Sequence, residues 1–113
     1  MARAQQSAAL LPGTLELLVL SVLMAGDAHA YAVARAIERT GEGTLRIEEG
    51  SLYPCVARLT RQGLVTSTWD VTPTGRRARV YAITGAGRRH WAQQHTLWLR
   101  LASAVDSVVA AHT

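Results

Sequence analysis

The chain has 113 residues, which is enough for one domain with a modest hydrophobic core. Apolar residues make up 49 % of it and no low-complexity tract is present, as is typical of a globular protein. One cysteine excludes an internal disulfide and is consistent with a reducing compartment.

The net charge of +4 is unevenly distributed along the chain. Residues 58–100 contain a single acid, Asp70, and the segments on either side are slightly negative. A basic middle of this kind indicates a surface that faces a polyanion. The basic residues of that segment are Arg58, Arg61, Arg76, Arg77, Arg79, Arg88, Arg89 and Arg100.

The start of the chain predicts a soluble, cytoplasmic protein. The apolar run from Leu15 to Ala25 contains Glu16 and Ser21 and is too short to span a bilayer. No signal-peptide pattern precedes it. Residues 1–12 are expected to form a flexible arm that ends at Pro12-Gly13.

Two helices are predicted next. The first has Thr14 as its N-cap and ends near Gly26, and its N-terminus can donate N–H groups to a phosphate. The second is predicted to start after Asp27 and to stop at Gly41. Tyr31 near its start has two interpretations, core packing with a wet hydroxyl or contact with a phosphate. Residues 44–47 are expected to be briefly extended.

The third helix is predicted between Glu49 and Gly63, and it has two distinct faces. Four apolar residues follow helical spacing and should be buried: Leu52, Cys55, Val56 and Leu59. The outer face begins with small polar residues and continues with arginines: Ser51, Pro54, Arg58 and Arg61. Such a helix suits a DNA major groove, although an ordinary surface helix has the same pattern. Cys55 is expected to be a packed thiol, with a redox or metal role as the alternative.

The hydrophobic period then changes from 3.6 to 2. Residues 64–71 and 76–83 predict two strands joined by a turn at Thr72-Pro73-Thr74-Gly75. Three helices followed by such a hairpin predict a winged helix-turn-helix over residues 13–83, a mainly α fold with a small β-hairpin. Arg76, Arg77 and Arg79 would be wing residues that lie along DNA.

A long last helix is predicted from about Gly85 to Ala111, after Thr84 as its N-cap. Its apolar residues follow a heptad pattern that favours a homodimer over docking within one chain. The predicted dimer interface, in the C-terminal segment 84–113, comprises Trp91, Gln94, Trp98, Leu101, Val105 and Val108.

These features together resemble the PadR family of bacterial transcriptional regulators. The similarity covers about residues 13–90, and the single C-terminal dimerisation helix is similar to the compact subgroup of that family. The motifs that carry it are Gly13-Thr14-Leu15-Glu16-Leu17, Glu49-Gly50-Ser51-Leu52-Tyr53-Pro54, Ser67-x-Trp69 and the run from Gly75 to Thr84 followed by Gly87-Arg88.

The resemblance implies a homodimeric repressor that binds an inverted repeat in double-stranded DNA and is released by a small molecule or another signal. It implies that Ser51, Tyr53 and Pro54 begin the reading helix and that Tyr31 and the wing arginines contact DNA. It also implies that Trp98 is a stacking platform for a small aromatic effector, although Trp98 can equally fill the dimer core. The alternative function is a winged-helix protein-interaction module. No catalytic constellation or phosphate loop supports an enzyme, and neither a cofactor nor a metal is expected.

Overall fold

A computed structural model describes residues 13–113 of the chain, so the arm predicted for residues 1–12 lies outside the described residues. This part of the chain is mainly helical and contains one small antiparallel sheet, as predicted. The elements, in chain order, are α1 (Thr14–Ala25), β1 (Ala28–His29), α2 (Ala30–Thr40), α3 (Glu49–Arg61), β2 (Val65–Val71), β3 (Arg77–Ile83) and α4 (Gly85–Ala111).

The sheet has three strands in the order β1-β3-β2, one more than the predicted hairpin. Ala28 pairs with Tyr81 and His29 with Val80. Asp27 therefore does not cap α2, because the chain first pairs with β3 and the helix begins at Ala30. Residues 44–47 contain no strand, and the brief extended segment expected there remains a prediction.

The core is formed by one apolar face from each of the first three helices. All four residues predicted for the buried face of α3 are at most 2 % exposed. The stripes of α1 and α2 meet this face, and the base of the sheet closes it. The largest fully buried side chains are Val19, Leu20, Leu23, Val33, Leu52, Cys55, Val56, Leu59 and Val65.

The ends of the helices correct one prediction and confirm two. Gly13, with φ of 87°, occupies the N-cap of α1, so Thr14 is the first helical residue rather than the cap. Gly63 has φ of 75° and terminates α3, and the N–H of Leu64 donates back to the Leu59 carbonyl at 3.0 Å. Thr84 caps α4 and accepts a bond from the Gly87 N–H at 2.9 Å.

The first half of α4 is docked onto the winged domain. The Thr84 hydroxyl donates to the Gly63 carbonyl at 2.7 Å, and Trp91 Nε1 donates to Ser21 Oγ on α1 at 2.8 Å. The two tryptophans of the predicted dimer stripe therefore differ, since Trp91 packs against its own domain whereas Trp98 is 43 % exposed. The division of the chain at residue 84 remains a prediction.

The close approach of α4 to the sheet predicts that Gly87 tolerates no side chain. A Cβ at this position would lie 2.1 Å from the Leu64 carbonyl oxygen, which is backbone and cannot rotate away. We expect Gly87→Ala to lower the free energy of unfolding by about 2 kcal/mol, measured by urea denaturation. Gly85→Ala is the matched control, because its nearest neighbour, the Arg89 guanidinium, lies 3.7 Å away. Equal stability of the two variants would contradict this packing.

Candidate nucleic-acid interface

The outer face of α3 has the residues that were predicted to read DNA. Ser51, Tyr53 and Pro54 are exposed near its N-terminus, and burial of the opposite face fixes their direction. Pro54 lies in the second turn of α3, because the helix begins at Glu49. The carbonyl of Gly50 consequently lacks its helical N–H partner, and exposure of Gly50 lets water satisfy it.

The wing consists of β2, β3 and the turn between them. The N–H of Thr72 donates to the Arg76 carbonyl at 2.8 Å, which closes the tip. Arg77 and Arg79 share one face of β3, and the partner strand places Trp69 directly opposite Arg79. The guanidinium carbons of Arg77 and Arg79 lie 4.4 and 4.5 Å from the centroid of the Trp69 ring. The guanidiniums of Arg77 and Arg79 are thus held by contacts with Trp69 instead of extending freely into solvent.

A cleft of about 490 Å³ separates the wing from the N-terminal ends of α2 and α3. Tyr31 of α2 and Tyr53 of α3 line one side, and Arg77 and Arg79 line the other. Tyr31 is 63 % exposed, which favours the interpretation of this residue as a contact over its interpretation as core. The structure therefore brings together predicted site residues from three separate parts of the sequence. Tyrosine hydroxyls and arginine guanidiniums can both donate hydrogen bonds to an anionic polymer that enters the cleft.

Other predicted site residues lie outside this cleft. Thr14 lines a different cavity, of about 160 Å³, between α1 and α4. Arg58 approaches Glu16 of α1, with Arg58 Nε 3.6 Å from the carboxylate oxygen, and Arg61 is exposed at the end of α3. The same carboxylate lies 4.0 Å from His90 Nε2. DNA contact by Thr14, Arg58 and Arg61 remains a prediction.

Two residues beside the site were missed as participants. The sequence patterns indicated no role at the site for Trp69, which is part of a family-like motif, or for Glu16, which is part of another such motif and interrupts an apolar run. The predicted turn at Thr72–Gly75 would have set Trp69 opposite Ala78. The observed register is one residue different, pairing Val71 with Arg77, and this places Trp69 opposite Arg79. Nothing in the sequence indicates the pair between Glu16 and Arg58, since their contact depends on how two helices cross.

Cys55 is fully buried in the core beneath α3. Burial raises the pKa of its thiol to about 11, with a smaller contribution from the negative charge of Glu16. The thiol is therefore protonated at neutral pH, which favours the packed-thiol interpretation over a redox role.

Within residues 13–113, no three His, Cys, Asp or Glu side chains are grouped so that they could hold a metal ion. No helix of this part of the chain is long and apolar enough to cross a membrane.

The fold defines the class of the protein as a winged helix-turn-helix with a long C-terminal helix. The model of the transcriptional regulator PadR-like family matches residues 19–93. The chain belongs to this family, whose members are transcriptional regulators rather than enzymes.

Known proteins of similar sequence and structure agree with this assignment. A transcriptional regulator from Clostridium thermocellum superposes with a TM-score of 0.78 at 26 % identity, covering 84 % of this chain and 92 % of that one. A PadR family transcriptional regulator from Eggerthella lenta has a TM-score of 0.75 at 33 % identity, covering 86 % and 82 %. The transcriptional regulator YqjI of Escherichia coli is 35 % identical over 54 residues, 48 % of this chain. The match spans only 26 % of the length of that curated relative.

The pair between Glu16 and Arg58 predicts a variant with tighter DNA binding. Glu16→Gln removes the carboxylate that competes with phosphate for the Arg58 guanidinium. Because a partly exposed ion pair is worth at most about 1 kcal/mol, we expect promoter DNA to bind up to about fivefold more tightly. Glu42→Gln makes the same charge change on an exposed loop and serves as the control. The interpretation fails if the gain persists when Arg58→Gln is combined with Glu16→Gln.

Proposed function

We propose that this regulator is a repressor that binds an inverted-repeat operator as a homodimer and is released by a small molecule or another signal. The observation that carries the proposal is the cleft between the wing and the ends of α2 and α3. It gathers Tyr31, Tyr53, Arg77 and Arg79 around a space that is open to a nucleic-acid backbone. As a regulator of bacterial type that acts on DNA, the protein would work in the cytoplasm.

The different side chains of α3 and the wing support sequence-specific binding, because α3 suits contact with bases and the wing suits contact with phosphates. The N-terminal part of α3 has slim side chains, Ser51 and Pro54, that allow close approach to base edges. Arginines of the wing meet phosphates, which positions the helix without reading sequence. Arg61 extends this basic surface at the other end of α3. Base contacts then select the operator, and phosphate contacts supply most of the affinity.

The distal half of α4 supports the homodimer. A helix of 27 residues extends for about 40 Å, and beyond residue 96 it exposes a continuous apolar stripe. A patch of this kind on a small protein favours burial against an identical surface. A two-fold axis at this stripe would relate the two copies of α3, so that each copy meets one half-site of the inverted-repeat operator. The exposed apolar residues are Leu97, Trp98, Leu99, Leu101, Val105, Val108 and Val109.

An effector site at Trp98 is the proposed means of release. Trp98 lines the cavity between α1 and α4 together with Gln94, Leu97 and Leu101. A second copy would bring another indole to the same interface, and paired indoles can sandwich a planar aromatic molecule. Thr14 lies at the same cavity. A ligand here would contact both α1 and α4. It would thereby alter the spacing between the winged domains of the two subunits in the proposed dimer.

The DNA-binding proposal is tested by fluorescence anisotropy with the protein's own upstream promoter in a salt series. If each subunit neutralises roughly four phosphates, log K should fall against log salt with a slope near −7. Arg76→Gln combined with Arg77→Gln removes two charges per subunit, so we expect a slope of about −4. Arg89→Gln with Arg100→Gln makes an equal charge change on α4 and should leave the slope unchanged. Equal binding of promoter and scrambled DNA by the wild type would favour a protein-interaction module instead.

The dimer is tested by sedimentation of the full chain. The monomer has a mass of 12.2 kDa, and we expect the wild-type protein to sediment at twice that mass at micromolar concentration. Val105→Glu should give the monomer, since a charge in an apolar seam is left unpaired. Ser103→Glu, on the other side of α4, should stay dimeric. A wild-type monomer at these concentrations would overturn the proposed assembly.

A further inference from the structure

Trp69 is an exposed tryptophan that two positive charges approach. Its side chain is 52 % exposed on β2, at the face of the wing that also bears Arg77 and Arg79. Both guanidinium carbons lie within 4.5 Å of its ring centroid. Arg79 is restrained further, because its Nη1 donates to Ser67 Oγ at 2.9 Å. A single indole therefore organises the two wing arginines that line the cleft.

Without the indole, this arrangement of charges would be unfavourable. The two guanidinium carbons are at most about 9 Å apart, since each lies within 4.5 Å of the same ring centroid, and this separation is comparable to the Debye length of about 8 Å at physiological ionic strength. Like charges at this separation repel, and free arginine side chains have many rotamers. The face of an indole attracts a guanidinium, and tryptophan is the most effective ring for this contact. Trp69 therefore offsets the repulsion and restricts the rotamers of both arginines.

The direction in which the arginines are held is the functionally relevant feature. Both line the same cleft as Tyr31 and Tyr53, which belong to α2 and α3. Arginines held there before DNA arrives lose less conformational freedom on binding than mobile ones. Trp69 itself is absent from the residues that line the cleft. An influence of Trp69 on DNA inside this cleft would therefore pass through the two arginines.

We infer that Trp69 is a positioning residue that presents Arg77 and Arg79 together to one DNA backbone inside the cleft. The inference rests on the proposed DNA-binding function and adds the residue that prepares the wing for it. A residue that acts in this way needs an aromatic face, and an apolar side chain of similar size cannot replace it. Its substitution should no longer affect promoter binding when Arg77 and Arg79 are absent.

Substitutions at Trp69 separate these requirements. We expect Trp69→Leu to weaken promoter binding roughly tenfold, because two cation–π contacts are lost. Trp69→Phe keeps an aromatic face and should stay within about threefold of the wild type. Thr68→Leu, on the opposite face of the same strand, is the matched control and should bind like the wild type. Thermal unfolding followed by circular dichroism verifies that each variant is folded.

A double-mutant cycle identifies the route of the effect. In a protein with Arg77→Ala and Arg79→Ala, the change Trp69→Leu should alter promoter binding by less than about twofold. A full tenfold loss in this background would overturn the inference, since Trp69 would then act on DNA directly or through the fold. Loss of binding by Trp69→Phe equal to that of Trp69→Leu would also overturn it.

Nuclear magnetic resonance of the DNA-free chain makes the test independent of the proposed function. The side-chain Nε–H signals of Arg77 and Arg79 should show ring-current shifts in the wild type that vanish in Trp69→Leu. Absence of these shifts in the wild type would overturn the inference while leaving the proposed function intact. Wild-type protein that shows the shifts but does not distinguish promoter from scrambled DNA would overturn the proposed function, and with it the DNA-directed role of Trp69.

Discussion

Burial of one apolar stripe on α3 is the constraint on which the rest of the structure depends. Leu52, Cys55, Val56 and Leu59 are at most 2 % exposed, and they pack against α1, α2 and the base of the sheet. Because side chains of a helix project at fixed angles, this burial forces Ser51, Tyr53 and Pro54 outward. The same core holds the base of β2 through Val65 and thereby sets the wing beside α3.

The long-range pairing of the sheet extends this constraint to α2. The two residues of β1, Ala28 and His29, immediately precede the second helix and pair with β3. This pairing fixes the position of Tyr31, two residues later, against the wing. The cleft thus lies between α2, α3 and the wing, and all three of these elements pack on the same hydrophobic core. Its width is set by packing and strand register rather than by the polar residues that line it.

The sequence predicted elements whose signals are local and periodic. The three helical stripes, the two long strands and the stops at Gly41 and Gly63 follow from hydrophobic spacing and backbone preference, and the structure confirms them. The strand β1 was missed because two residues are too short for any period to be visible. The predictions of Thr14 and Asp27 as N-caps were wrong. Gly13 occupies the N-cap of α1. The strand β1 lies between Asp27 and the start of α2 at Ala30, so that His29 is the N-cap of α2.

The site was predictable in composition but less so in geometry. Charge clustering and family-like motifs indicated the wing arginines and the tip of α3. Of these residues, Arg77, Arg79 and Tyr53 meet at one cleft. Its lining does not include Arg76, Ser51 or Pro54. Contacts that depend on helix crossing, such as Glu16 with Arg58 or Trp91 with Ser21, leave no trace in the local sequence pattern. The heptad pattern of α4 could not show that Trp91 docks on its own domain while Trp98 stays exposed. Both residues satisfy the same spacing, and only the fold separates them.

In the proposed assembly, two copies of this cleft, related by a two-fold axis, bind one DNA duplex. Hydroxyl-radical footprinting of the protein on its own upstream promoter tests this assembly. We expect two protected segments with dyad symmetry, centred about one helical turn or about 10 base pairs apart, with further protection of the backbone beside each half-site by the wings. A single protected segment without symmetry, or uniform weak protection along the whole fragment, would contradict it.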